Sequence, residues 1–209
     1  EPGIRLAATA TATLRAAVGF LTFLVAFEFR RGDAPSWWFG VVLVASMVGS
    51  FLGAVVAPRL RERVVEERMV AGALVAIAAG AVVAGRIGGR PAAAVLAAVV
   101  GVAANVGKLG FDSLVQRDAP DAAQGRAFAR FESEFQLAWV GGALLPVALT
   151  VPQRVGFFVM AVGLAVAALT YVTGRRALAA RQAAARGLAG GEVDAGEPEA
   201  GGVDLGRGG

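Results

Sequence analysis

The side chains that could carry chemistry in this chain are ionisable groups within or beside long apolar stretches. Lys108 and Asp112 are four residues apart, so on a helix they lie one turn apart and can form an ion pair. Arg130 and Glu134 have the same spacing, and Glu132 lies between them. Ionisable groups at membrane depth usually mark a functional site, which would give these residues a role in coupling or gating. A purely structural charge network near the helix ends is the alternative that the sequence leaves open.

Four further polar residues interrupt the apolar stretches. Glu28 lies beside two arginines near the end of the first stretch, where it is either a solvated interfacial acid or a proton site. Asn105 and Gln136 either donate hydrogen bonds to a neighbouring helix or line a cavity. Arg15 is expected near the lipid headgroups, which its long side chain can reach by snorkelling.

The composition excludes several kinds of chemistry. The chain has no cysteine and no histidine, so disulfides, thiolate catalysis, the usual zinc ligands and histidine-based triads are absent. The sequence pI is about 10.8, but the basic residues lie between apolar stretches and do not form the continuous patch that a nucleic acid would need. We therefore expect no nucleic-acid partner, no metal and no cofactor.

Six apolar stretches must position the candidate residues. They are roughly 16 to 24 residues long, about what an α-helix needs to cross a bilayer core. The hydrophobic fraction is 56%, and the mean hydropathy is +0.64. We predict an all-α polytopic membrane protein with six transmembrane helices, the second ending at Pro58 and the fourth starting near Pro91. The spans lie near residues 14–29, 37–57, 69–85, 91–114, 128–151 and 155–174.

The loops predict the orientation and the domains. Loops on one side of the predicted bundle carry about twice as many arginines as loops on the other, and the richer side is cytoplasmic by the positive-inside rule. Both termini are then cytoplasmic. Residues 1–178 are predicted to form the bundle. Residues 179–209 are predicted to form a cytoplasmic tail, first basic, as a short helix on the membrane surface, and then disordered. Because the chain begins with Glu1 and not Met, we expect it to be a fragment.

The two long cytoplasmic loops hold the remaining candidates. Gly49 and Gly53 are four residues apart on one helix face, a spacing that favours close packing. Beyond them a charged loop carries basic residues that either anchor the topology or pair with acidic helix ends in one conformation; these are Arg59, Arg61 and Arg63. Arg126 belongs to the second such loop.

Two segments carry a resemblance to a known family. The segment FDSLVQRDAPDAAQGRAFARFESEFQLAWVGGALLPV resembles the tenth-to-eleventh helix region of actinobacterial members of the major facilitator superfamily, and TLRAAVGFLTFLVAFEFRR resembles their seventh helix. The family's loop signature is a glycine, an acidic residue and a basic cluster. Gly53 matches the glycine and Arg59, Arg61 and Arg63 match the basic cluster, whereas the acidic position falls in the Ala57–Pro58 region. The resemblance covers roughly residues 5–178 and suggests a carboxy-terminal six-helix half.

The resemblance implies transport by alternating access, with two six-helix halves rocking about a central site for a small molecule. It implies proton-coupled efflux across the plasma membrane, an amino-terminal six-helix half as partner, and no catalytic residue. Two other classes stay open at this point: an integral membrane enzyme of lipid modification, and a non-catalytic membrane subunit that binds a partner protein.

Overall fold

The computed structural model describes the backbone of residues 2–118 and 124–194, and within these ranges it has six α-helices and no strand. The side chains of residues 124, 126, 127 and 187–194 lie outside the description. The helices are α1 (Pro2–Arg31), α2 (Trp37–Arg61), α3 (Glu66–Ile87), α4 (Gly89–Asp118), α5 (Gln124–Ala148) and α6 (Gln153–Asp194). The all-helical class predicted from the sequence is confirmed.

Five of the six helices, namely α1, α2, α3, α4 and α6, are long and apolar enough to cross a membrane. In the part of the chain that the structure describes, α5 does not meet that standard. Its first half carries Glu132, Glu134 and Gln136, which lower the hydropathy of any long window through the helix. Five of the six expected spans therefore have the predicted apolar character, whereas the span in α5 is partly polar.

The observed helix ends differ from the expected ones in two places. α2 continues through Pro58 to Arg61, although Pro58 was predicted to stop it. The proline leaves the carbonyl of Ala54 without its helical donor, and because Ala54 is exposed near the helix end, the cost is small enough for one more turn. α6 runs without a break to Asp194, so the basic segment after Gly174 continues this helix and is not a separate one. Disorder was expected from Gly187 onward, but the backbone of residues 187–194 belongs to α6, so the expectation is wrong there. Its remainder falls on residues 195–209, outside the described residues.

The helices pack in a reciprocal pattern. The most extensive contacts join α2 to α4 and α1 to α5, followed by α3 to α4, α3 to α6 and α1 to α6. The pattern has an internal symmetry in which α1, α2 and α3 correspond to α4, α5 and α6, respectively. The contact of α2 with α4 then corresponds to the contact of α5 with α1, and the contact of α3 with α4 corresponds to the contact of α6 with α1. The first three and the last three helices thus form two units that are related by this symmetry, and the extensive contacts join one unit to the other. α1 and α4 are the most deeply buried of the candidate spans.

Glycines bring the backbones together at the two largest crossings. At the crossing of α2 and α4, a Cβ on Gly53 would lie 2.7 Å from the carbonyl oxygen of Val102, and one on Gly49 would overlap Ala98. In the opposite direction, a Cβ on Gly101 of α4 would lie 2.6 Å from the carbonyl oxygen of Ser46. The close packing expected from the spacing of Gly49 and Gly53 is therefore present.

The equivalent crossing of α1 and α5 is built in the same way. Gly19 of α1 lies against the backbone of Trp139, and Gly142 of α5 lies against the backbone of Ala16. Each crossing thus has glycines on both helices, because only a residue without a side chain permits such an approach.

Candidate functional site

An ionic network joins α4 to α5 at the positions that the sequence singled out. The Nζ of Lys108 lies 3.4 Å from Asp112 Oδ2 on its own helix and 3.4 Å from Glu132 Oε2 on α5. The Lys108 and Asp112 side chains are partly buried, 38% and 26% exposed, and that of Glu132 is more open. One lysine is therefore shared by two carboxylates, and loss of charge on either would leave it with a single charged partner.

Arg15 lies near this network without joining it. Its charge acts on Asp112, but the described residues offer it no ion pair within 4 Å and no hydrogen bond. The side chain was expected at a helix end. Because α1 begins at Pro2 and has 30 residues, Arg15 instead lies near the middle of the helix.

The other polar candidates have local partners or none. The Asn105 amide donates to the carbonyl oxygen of Gly101 at 2.9 Å within α4, so its hydrogen bond does not cross to another helix. Gln136 is exposed. Glu28 pairs at 3.6 Å with Arg31 at the opposite end of the bundle from the ionic network, with about a third of its side chain exposed.

The candidates at the helix ends stay apart from one another. Arg59 donates to the carbonyl oxygen of Val55 at 3.3 Å, and Arg61 and Arg63 are exposed. Within the described residues these three arginines make no ion pair. Arg130 pairs with Glu134 at 3.0 Å on the exposed surface of α5. The side chain of Arg126 lies outside the described residues.

Sequence reasoning missed the densest charge cluster, which joins α3, α4 and α6 at the end where α2 finishes. Arg117 donates to Glu67 at 2.8 Å, to Asp118 at 2.7 Å and to Glu66 at 3.2 Å. Arg175 of α6 also pairs with Glu67. A sequence signal did exist, since two acids open α3 and an arginine closes α4 at the same end of adjacent antiparallel helices.

This end cluster, made of Glu66, Glu67, Arg117, Asp118 and Arg175, lies beyond the apolar parts of its helices. Burial alone would raise the pKa of Glu67, but the hydrogen bond from Arg117 and the charge of Arg175 outweigh it and hold the pKa below its usual value. The hydrogen bond from Arg117 lowers the pKa of Asp118. The same hydrogen bonds to Asp118 and Glu67 raise the pKa of Arg117. Glu67, Asp118 and Arg117 are therefore charged at neutral pH, and the cluster ties three helices together.

A groove of about 300 Å³ runs between α1, α2 and α4. On α1 it is lined by Val18, Leu21, Thr22, Val25 and Ala26. The rest of its lining is mostly apolar and comes from the outer part of α2 and from α4; it includes Phe39, Leu43, Ser46, Ala97 and Val100.

Comparison with known proteins gives little beyond this geometry. No family model matches the chain. Over 154 residues, 69% of the chain, it is 29% identical to an uncharacterized protein of Mycobacterium leprae (strain TN). The chain spans about a quarter of that relative, 26% of its length. The class of protein defined by the fold is therefore an all-helical bundle with five apolar helices long enough for membrane spans.

Proposed function

We propose that this chain is one six-helix half of a secondary transporter of the major facilitator type, lying in the cell membrane with both termini in the cytoplasm. The proposal rests on the reciprocal packing of the two three-helix units around α1 and α4. Transporter folds are commonly built from such internal repeats, with the binding site near the bilayer midplane at the interface between repeats. The partners are then the lipid bilayer, a second six-helix half and a small-molecule substrate.

Exposure of the apolar helices supports a lipid environment. α2 has the highest hydropathy of the candidate spans, yet only 11% of its apolar window is buried inside the bundle. Side chains such as Leu43, Met47 and Phe51 are more than 60% exposed. Contiguous apolar surface on this scale is uncommon on soluble monomers and is normally covered by lipid or by another protein surface.

The ionic network of Lys108, Asp112 and Glu132 is where proton coupling would act. Adding a proton to Asp112 removes one of the two charges that hold Lys108, and the remaining carboxylate on α5 becomes its only partner. The lysine would then be drawn toward Glu132, changing the contact between α4 and α5. Since α4 packs mainly on α2 and α3 whereas α5 packs mainly on α1, protonation would bias the relative position of these two groups of helices, as proton-coupled efflux by alternating access requires.

The test is an efflux assay on the full-length protein in everted membrane vesicles, with cationic, neutral and anionic dyes and with or without an uncoupler. We expect at least one dye to be transported, with transport abolished when the uncoupler collapses the proton gradient. Asp112→Asn should lower this gradient-dependent transport at unchanged protein level. Glu134→Gln, which removes only an exposed pair on α5, is the matched control and should transport normally.

Two results would contradict the proposal. Absence of any dye movement attributable to the protein would refute transport. Transport that the uncoupler leaves intact, or an Asp112→Asn variant that transports like the wild type, would refute the coupling role of the ionic network.

A further inference from the structure

A cavity of about 490 Å³ lies where α1 ends and α2 begins, at the opposite end of the bundle from the end cluster. Four aromatic rings, one cation and one anion form much of its wall; they are Phe23, Phe27, Phe29, Phe39, Arg30 and Asp33. At the same level α2 opens with Trp37 and Trp38, whose rings are stacked with centroids 4.7 Å apart. Because indoles favour the membrane–water interface, this cavity lies at the depth of the lipid headgroups when the helices are in a bilayer.

The two charged side chains of this cavity are not paired with each other or with a neighbour. Arg30 and Asp33 are three residues apart, yet within the described residues neither side chain forms an ion pair within 4 Å or a hydrogen bond. The adjacent charges Glu28 and Arg31, by contrast, pair with each other at 3.6 Å. The cavity therefore presents one positive and one negative charge beside aromatic walls.

Asp33 occupies a position where the backbone favours glycine. Its φ is 45°, in the left-handed region. The N–H of Ala34 donates to the carbonyl oxygen of Phe29 at 2.9 Å and closes the end of α1. In this kind of helix end the left-handed residue is usually glycine. Aspartate tolerates the conformation better than most residues do, but the turn does not need a charge. The turn therefore fixes Asp33 at the wall of the cavity and leaves its carboxylate to meet a ligand.

The cavity continues into the apolar groove between α1, α2 and α4, because Ala26 and Phe39 line both. From Ala26 the groove follows α1 back to Val18, which is about 12 Å along the helix axis. The hydrocarbon of one leaflet is about 15 Å thick, half of a bilayer core. Thr22 and Leu43 of the groove lining are exposed, so the groove is open toward lipid. The combined space has charges at headgroup depth and an apolar channel that extends through most of one leaflet.

We propose that the cavity and the groove bind one phospholipid with a zwitterionic headgroup that carries an ammonium, such as phosphatidylethanolamine. The Arg30 guanidinium meets the phosphate, which its paired donors match. The Asp33 carboxylate meets the ammonium, which the faces of the phenylalanine rings also attract. One acyl chain lies in the groove. The inference goes beyond the proposed transport function, since it requires only that the helices lie in a membrane.

Other ligands fit this arrangement less well. An anionic phospholipid without an ammonium satisfies Arg30 but leaves Asp33 facing a neutral or negative group. A soluble zwitterion satisfies both charges but leaves the groove without an occupant. The charge pair thus selects the headgroup, and the groove selects a molecule that has an acyl chain.

The test is native mass spectrometry of the full-length protein, titrated in detergent with dioleoyl phosphatidylethanolamine and dioleoyl phosphatidylglycerol, which differ only in the headgroup. We expect the first phosphatidylethanolamine to bind about fivefold more tightly, which one exposed ion pair can supply. Asp33→Asn should remove this preference, whereas Arg30→Gln should weaken both lipids because both carry the phosphate. Glu62→Gln and Arg61→Gln change exposed charges at the other end of the bundle; they are the matched controls and should bind like the wild type.

Two further variants keep the test informative if Asp33→Asn does not fold. Asp33→Gly suits the left-handed backbone and should lose the preference in the same way. Ala26→Leu narrows the junction of cavity and groove, so it should weaken both lipids together. Equal affinity of the wild type for the two lipids would overturn the proposal, as would an unchanged preference in the Asp33 variants. A loss of preference in Glu62→Gln as large as in Asp33→Asn would assign the effect to the overall charge of the protein and would also overturn the site.

Glycerophosphoethanolamine, the same headgroup without acyl chains, distinguishes a lipid from a soluble zwitterion. At a concentration equal to that of the phospholipid it should displace little of it, because it gains nothing from the groove. Efficient displacement, or an Ala26→Leu variant that binds both lipids like the wild type, would show that the groove is not used and would overturn the lipid assignment.

The outcomes also separate this inference from the proposed function. A headgroup preference that depends on Asp33, without any uncoupler-sensitive efflux, would support the lipid site and refute transport. Uncoupler-sensitive efflux by a protein that does not discriminate between the two lipids would support transport and overturn the lipid site.

Discussion

The adjacent glycines of α5 give the sharpest test of the packing. A Cβ on Gly142 would lie 2.7 Å from both the Cα and the carbonyl carbon of Ala16, and closer still to its oxygen. A Cβ on Gly141, the preceding residue, meets nothing within 4 Å. We therefore expect Gly142→Ala to destabilise the bundle and Gly141→Ala to be neutral or slightly stabilising.

The magnitude follows from the geometry. Ordinary contact of a Cβ begins near 3.4 Å, so the Cα and carbonyl carbon of Ala16 must each move away by about 0.7 Å, and its closer carbonyl oxygen by more, to admit the new methyl group at Gly142. The obstacle is backbone, which cannot rotate aside as a side chain can. Overpacking of this kind costs about 1–3 kcal/mol. Replacing a helical glycine by alanine also gains up to about 1 kcal/mol of helix propensity, but this gain is common to both variants and cancels in their difference.

The assay is thermal unfolding of both variants in the same detergent, followed by intrinsic fluorescence. A difference of 1–3 kcal/mol corresponds to a gap of about 2–12 °C between the two midpoints for a protein of this size. The pair Gly49→Ala and Gly40→Ala repeats the comparison at the reciprocal crossing, because Gly40 also has nothing within 4 Å. Equal midpoints for Gly141→Ala and Gly142→Ala would refute the close approach of α1 and α5.

Two predictions concern the end cluster. Arg117→Gln removes contacts to three carboxylates on two helices, so it should lower the midpoint of thermal unfolding clearly more than Arg130→Gln does. The single exposed ion pair that Arg130→Gln removes is worth about 0.3–0.5 kcal/mol. Equal midpoints for the two variants would contradict the structural role of the cluster. Because the folded-state pKa values of Glu67 and Asp118 are lowered from about 4.5 and 3.8, their contribution to stability is complete above those values and is lost as the pH falls below them. Stability measured from pH 6 to pH 3 should therefore fall less steeply in Glu67→Gln than in the wild type, and parallel curves would show that Glu67 is not involved.

Local pattern was enough to predict the helices and one pair within the site. Long apolar stretches gave the all-α class, and the four-residue spacing of Lys108 and Asp112 gave their ion pair, because both depend on residues close in sequence. The contact from Lys108 to Glu132 depends on how α4 lies against α5, which no spacing encodes. The same holds for Arg117 and Arg175, whose shared partner Glu67 is more than a hundred residues from Arg175.

Helix ends were the weaker part of the prediction, for a physical reason in each case. Pro58 did not stop α2 because a proline near the end of a helix frees only a carbonyl that other groups can reach. Arg15 was expected near the lipid headgroups, yet α1 begins at Pro2, so about three helical turns precede it. Arg15 therefore lies near the middle of its helix.

The distribution of burial connects the packing with the proposed function. α1 and α4 occupy the middle of the reciprocal pattern and carry Arg15, Lys108 and Asp112, whereas α2, their flanking helix, combines the highest hydropathy with the least burial. α5 corresponds to α2 in the symmetry of the packing, and it likewise exposes apolar side chains such as Leu137 and Leu144. Two flanking helices with exposed apolar faces and two central helices with charged residues are what a half-transporter needs: apolar surfaces to meet lipid and a second half, and a polar region between them.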